Sequence, residues 1–181
     1  MLGLQGAFRD HIPHLTHCGA KPLIVTTNAD LATVDRLILP GGESTVMAKF
    51  IREFGLLDLL RERLAAGMPA WGICAGAILL AETVDGAPGL LRALPIHVTR
   101  NAYGRQRESC WRPVPIPLFG EEAYPAIFIR PPRIDSVTCN VTVHARSESD
   151  PVFVQCGRIM ATTFHPELNG DFQFHRRFLS L

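Results

Sequence analysis

A chain of 181 residues is long enough to bury one sizeable core and short for two ordinary domains, so residues 1–181 read as a single domain. Hydrophobic residues make up 47% and charged residues 19%, proportions that exclude a disordered chain. With 18 basic and 17 acidic residues, a net charge of +1 and no long single-sign block, neither nucleic acid nor an anionic membrane is an expected partner.

In chain order, Met1-Leu2-Gly3-Leu4-Gln5 lacks the basic segment and long apolar stretch of a secretory signal. No apolar run approaches the roughly 20 residues of a membrane span, so the expected location is cytoplasmic. His11, His14 and His17 recur beside Cys18 at near-helical spacing, but no carboxylate completes a metal set, and a solvated helix face is expected there. Five cysteines, an odd number with no Cys-x-x-Cys pair, argue against a disulfide framework or a zinc knuckle; no metal or cofactor is expected.

Leu23-Ile24-Val25 and Leu37-Ile38-Leu39 read as buried parallel strands. From Gly55 to Ala66, leucines at 56, 57, 59, 60 and 64 share one helical face, with Arg61, Glu62 and Arg63 mostly facing away; Gly67 ends this helix and Pro69 opens the next strand. Ala77 to Glu82 is helix-forming. Prolines at 113, 115, 117, 125, 131 and 132 restrict that region to edge strands and loops. Val137 to Ala145 alternates like a half-exposed antiparallel strand, and Ile159 to Phe164 forms the last strand before a short helical tail of about three turns. Strands alternating with helices predict an α/β fold: three layers, a mostly parallel central sheet flanked by helices, with a short antiparallel edge portion.

Gly72-Ile73-Cys74-Ala75-Gly76 lies between the short strand Ala70-Trp71 and that helix-forming run, the strand, sharp turn, helix layout of a nucleophile elbow with Cys in place of Ser. Glycines flank the turn because side chains there would clash with neighbouring backbone. Cys74 is expected exposed at a helix N-terminus, which favours the thiolate. A buried structural Cys in a tight turn is the plainer alternative. In His165-Pro166-Glu167, proline disfavours the helical conformation for His165. An extended segment would point residues 165 and 167 to the same side, letting Glu167 orient the imidazole. Pro40-Gly41-Gly42-Glu43-Ser44-Thr45 follows a strand at the edge where α/β sheets bind ligands. Its Gly42 N–H, with that of Ala75, is a candidate oxyanion donor; equally, the segment could be a plain loop with Ser44 capping the next helix.

Together these residues resemble the class I glutamine amidotransferase family, with its Cys-His-Glu triad. Leu4-Gln5-Gly6-Ala7, Leu39 to Thr45, Arg100-Asn101-Ala102-Tyr103-Gly104-Arg105-Gln106, Phe128-Ile129-Arg130 and His165 to Leu168 are similar to the glutaminase subunits of pyridoxal 5'-phosphate synthase. The resemblance implies a triad of Cys74, His165 and Glu167. It also implies L-glutamine bound by Gly42, Glu43, Ser44, Arg100, Ile129 and Arg130, and ammonia passed to a separate barrel-shaped synthase subunit in a hetero-oligomer. Two departures from the family pattern are the few residues before Leu4 and Ser109-Cys110-Trp111-Arg112, which puts a basic residue where the family has an acidic one. A cysteine peptidase or γ-glutamyl hydrolase on a related scaffold, and a subunit that only binds and regulates a partner, are the rival functions.

Overall fold

The computed structural model describes residues 1–103, 109–138 and 140–181; Cys139 and the Gly104 to Gln106 part of the Arg100 motif lie outside them. The helices are α1 (His11–His17), α2 (Asn28–Thr33), α3 (Ser44–Glu53), α4 (Leu57–Ala65), α5 (Ala75–Leu80) and α6 (Gln173–Leu179). The strands are β1 (Leu37–Leu39), β2 (Ala70–Ile73), β3 (Ala81–Val84), β4 (Ala87–Pro88), β5 (Leu94–Thr99) and β6 (Ser109–Val114), followed by β7 (Tyr124–Ile129), β8 (Arg133–Val137), β9 (Thr142–Ser147), β10 (Asp150–Cys156) and β11 (Ile159–Thr162). None of the described helices is long and apolar enough to cross a membrane.

The central sheet runs β1-β2-β11-β10-β9, parallel from β1 through β11 and antiparallel beyond. Alternation along its strands sorts side chains between two apolar cores. Leu37, Leu39, Ala70 and Ala161 meet Met47 and Ile51 of α3, Leu60 and Leu64 of α4, and Ala77 and Leu80 of α5. Ile38, Trp71, Ile73 and Met160 meet Leu15 of α1 and Phe174 and Phe178 of α6 on the other face. The result is helix, sheet, helix, as the sequence predicts. Phe174 joins the second core edge-on to Phe119, Tyr124, Phe153 and Phe164, with ring centroids 4.8 to 5.3 Å apart. Two smaller sheets, β4-β3-β5-β8 and the hairpin β6-β7, complete the fold. In the hairpin, Pro113 pairs with Pro125, so the missing N–H groups fall opposite one another.

Several expectations are corrected. Leu23-Ile24-Val25 is not a buried strand: Leu23 and Ile24 are exposed, and only Val25 bridges to Leu2, which in turn donates its N–H to Ile38 O at 2.9 Å. The first strand is thus a single bridge. Val137 to Ala145 is two strands, β8 and β9, broken between them because β8 pairs with β5 in one sheet and β9 with β10 in another. The helix after Cys74 stops at Leu80, and Ala81 and Glu82 begin β3. The C-terminal helix α6 has seven residues, about two turns rather than three. Arg61 and Arg63 do not simply face away: they donate to the carbonyls of Leu90, and of Leu31 and Val34.

Candidate active site

The parallel strands β1, β2 and β11 end at one edge of the sheet, and the segments leaving those ends converge there. Cys74 follows β2. Its N–H donates to Thr162 O at 2.8 Å, so the end of β11 fixes where the chain turns. It then sits at φ 50° and ψ −101°, a conformation that costs a non-glycine residue about 1–3 kcal/mol. The turn is tight enough that a Cβ on Gly72 would lie 2.6 Å from Gly76 carbonyl carbon, and one on Gly76 would lie 1.9 Å from Leu39 O. The elbow exists because both flanking residues lack side chains. Cys74 is 7% exposed, so the expected exposed thiol is instead recessed in the cleft.

His165 leaves β11 and is tied to the neighbouring hairpin by its N–H, which donates to Ile127 O at 2.8 Å. Its Nδ1 meets Glu167 Oε1 at 2.8 Å, and the Glu167 side chain is fully buried. The expected extended path through residue 167 is not what brings the two together: Pro166–Leu168 is a 3-10 turn, and the turn curls the carboxylate back under the ring. Gly41 backs directly onto the imidazole, since a Cβ there would stand 2.4 Å from His165 Cε1. Burial alone would push this imidazole down. The nearby Cys74 sulfur, then the bond to Glu167 and its charge, outweigh it and hold the His165 pKa up at about 10. The buried Nε2 lacks a partner in the rotamer described, where the Cys74 thiol donates to Ile129 O at 3.8 Å.

Cys74, Ala75, His165 and Glu167 line a cleft of about 600 Å³ together with Gly42, Glu43, Ser44, Arg100, Ile129 and Arg130, so the structure gathers every site residue expected from the sequence. A second cleft of about 590 Å³, at the start of the chain beside Met1, Arg36 and Phe178, contains none of them. Ser44 does not cap α3. Glu43 does, accepting from Thr45 N–H and Oγ1 at 3.2 and 2.8 Å, and these bonds hold its carboxyl below the ordinary range. Arg100 follows β5, where Asp85 accepts both its backbone N–H at 2.8 Å and its Nε–H at 2.7 Å. These bonds lower the Asp85 pKa. Sequence reasoning missed Asp85, although its Asp85-Gly86 pair is a recognisable hairpin turn between β3 and β4. Arg130 sits at φ 41° just past β7. Arg112, the basic departure, is paired with Glu148 at 3.0 Å.

Across its whole length, residues 1–181, the chain matches the model of the SNO glutamine amidotransferase family. It belongs to that family. A pyridoxal 5'-phosphate synthase subunit PdxT from Thermotoga maritima is 46% identical over 182 residues, spanning all of this chain and 97% of that relative. The PdxT subunit of Dictyoglomus turgidum is 43% identical over 181 residues, 99% of this chain and 95% of that one. A crystal structure of a glutamine amidotransferase superposes with a TM-score of 0.91 at 40% identity, covering 99% of this chain and 95% of that one. The PurLQS structure from Thermotoga maritima, at 19% identity and a TM-score of 0.67, shares the fold.

This member of the SNO family also has histidines that its sequence misrepresents. His11 and His175 are fully buried and His14 nearly so, although a solvated helix face is expected for His11 and His14. His11 Nδ1 and His175 Nε2 are 2.9 Å apart, His14 stacks on His175 at 4.5 Å, and Trp71 covers both His11 and His175 edge-on. Burial is the first cause that drives the pKa of His11 well down and that of His175 to about 3. His97 and His144 are also engaged, with Thr83 Oγ1 at 2.6 Å and Gln155 Oε1 at 3.2 Å. No group of three or more His, Cys, Asp or Glu among the described residues is placed to hold a metal.

Proposed function

We propose that the chain hydrolyses L-glutamine to L-glutamate and ammonia with Cys74 as nucleophile, His165 as acid and base and Glu167 as its orienting partner. In this reading residues 1–181 work as one cytoplasmic glutaminase domain. The ammonia goes to the synthase subunit of a pyridoxal 5'-phosphate synthase, the assembly to which the named relatives belong. The observation that carries the reading is a strained Cys74 at the strand-to-helix corner, sharing a cleft with an imidazole whose Nδ1 is held at 2.8 Å by a buried carboxylate.

The sulfur yields its proton to His165 Nε2 and attacks the side-chain amide carbon. A C–S bond forms and the carbonyl electrons move to oxygen, which the Gly42 and Ala75 N–H groups receive. As the C–N bond breaks, His165 returns the proton to nitrogen and ammonia leaves. Water then gives a proton to His165 and attacks the thioester; as the C–S bond breaks His165 returns that proton to sulfur and glutamate departs. Arg100 and Arg130 supply guanidinium groups for the carboxylate of the free amino acid, with Glu43, Ser44 and Ile129 completing the pocket. In glutamate-release assays on the full chain with its synthase subunit, Cys74→Ala should abolish turnover while keeping the wild-type melting temperature. Ammonia release at the wild-type rate from that variant would refute the assignment.

A further inference from the structure

The loop that offers Gly42 N–H has no regular secondary structure of its own, being the stretch between β1 and α3. It is held from one side by the opening segment Gln5-Gly6-Ala7. Ala7 N–H donates to Gly41 O at 2.9 Å, and Glu43 N–H donates to Gln5 Oε1 at 2.8 Å. Only the oxygen end of the Gln5 amide can face a backbone donor, so its orientation is set. The two backbones pack without room for side chains. A Cβ on Gly6, which sits at φ +93°, would lie 2.1 Å from Gly41 O; one on Gly42 would lie 2.4 Å from Gln5 Oε1 and 2.9 Å from Gly6 Cα.

None of the described peptide bonds is cis, and in a trans peptide C=O and N–H point in opposite directions. The bond from Ala7 to Gly41 O therefore decides which way Gly42 N–H points. The bond from Glu43 N–H to Gln5 does the same for the next peptide. The Gly42 N–H cannot turn over without breaking the Ala7 bond, and the Gln5 bond fixes the other side of the Gly42 Cα about which it would swing.

We propose that Gln5 is a positioning residue for the oxyanion donor, its side-chain oxygen pinning the Gly42–Glu43 peptide so that Gly42 N–H keeps its aim. The proposal rests on the glutaminase reading above. Gln5 never touches the reacting atoms; it acts through the loop, and so affects the step in which charge develops on oxygen rather than binding or thiol reactivity.

Gln5→Met keeps the length of the side chain and removes the acceptor. Assayed as the full chain with its synthase subunit, it should lower kcat for glutamine about 10- to 100-fold while KM stays within about twofold. Alkylation of Cys74 by iodoacetamide, a displacement that develops no oxyanion, should keep its wild-type rate, and the melting temperature should hold. If Gln5→Met does not fold, Gln5→Leu reads the same question, because it removes the same acceptor with a shorter apolar side chain. An unchanged kcat, or kcat, KM and alkylation all moving together, would overturn the positioning role. A wild-type complex that releases no glutamate would overturn the underlying reading instead.

Discussion

Replacing Gly41 by alanine isolates the placement of His165 from every other feature of the site. Gly41 is not among the residues held at positive φ, so alanine meets no backbone penalty there. The added methyl would stand 2.4 Å from His165 Cε1 and 3.0 Å from Nδ1. Ordinary contact begins at about 3.4 Å, so the ring must move by about 1 Å, and it is tethered by the 2.8 Å bond to Glu167. Misplacing a catalytic group by about 1 Å costs on the order of 100-fold. Gly41→Ala should therefore lower kcat/KM for glutamine by about 100-fold in a glutamate-release assay, with thermal unfolding little changed. Activity within twofold of wild type would refute the reasoning, as would loss of activity that tracks loss of folded protein.

Gly76→Ala should behave differently, because its methyl would meet Leu39 O at 1.9 Å and backbone cannot swing aside as a ring can; a loss of about 3 kcal/mol in urea unfolding is expected, and unchanged stability would contradict the packing. In Glu167→Gln the lost carboxylate charge lets the His165 pKa fall from about 10 toward its ordinary value. The alkaline limb of the rate profile should move to lower pH, because His165 must hold a proton to release ammonia. Stability from this raised pKa, present in full below about pH 6.5 and lost as pH rises through about 10, should shrink with it. His175 is depressed to about 3, so the unfolded chain takes up its proton first and wild-type stability should drop as pH falls from about 6.5 toward 3. The slope is about 1.4 kcal/mol per pH unit for each such group, and His175→Phe should flatten it in melts across that range.

The parts of the site that were legible in the sequence are those where chemistry leaves little choice of residue. Gly72 and Gly76 were readable because the corner around Cys74 admits no Cβ, and Gly41-Gly42 because the loop touches an imidazole and another backbone. Helix boundaries and the split between β8 and β9 were less legible, since they depend on which sheet a segment joins, a choice made by distant partners. Leu23 and Ile24 look buried by composition, yet they are exposed and only Val25 of that run joins a bridge. The histidine cluster was invisible for a related reason. His11 and His175 are separated by 164 residues and acquire their burial only when α1 and α6 close over Trp71. Asp85 reads in sequence as a turn residue and Gln5 only as part of a resembling run, so what each holds is visible only in their bonds to Arg100 and Glu43.

Arg100 hangs from the small sheet through β5 and Asp85, whereas Cys74 and His165 hang from the central one. In the proposed enzyme the Arg100 part of the substrate grip is thus mounted apart from the bond-breaking groups, while Glu43 and Ser44 follow β1 of the central sheet. Drift in the small sheet should alter how tightly glutamine is held without disturbing the sulfur, leaving affinity free to be tuned over evolutionary time while the chemistry stays put.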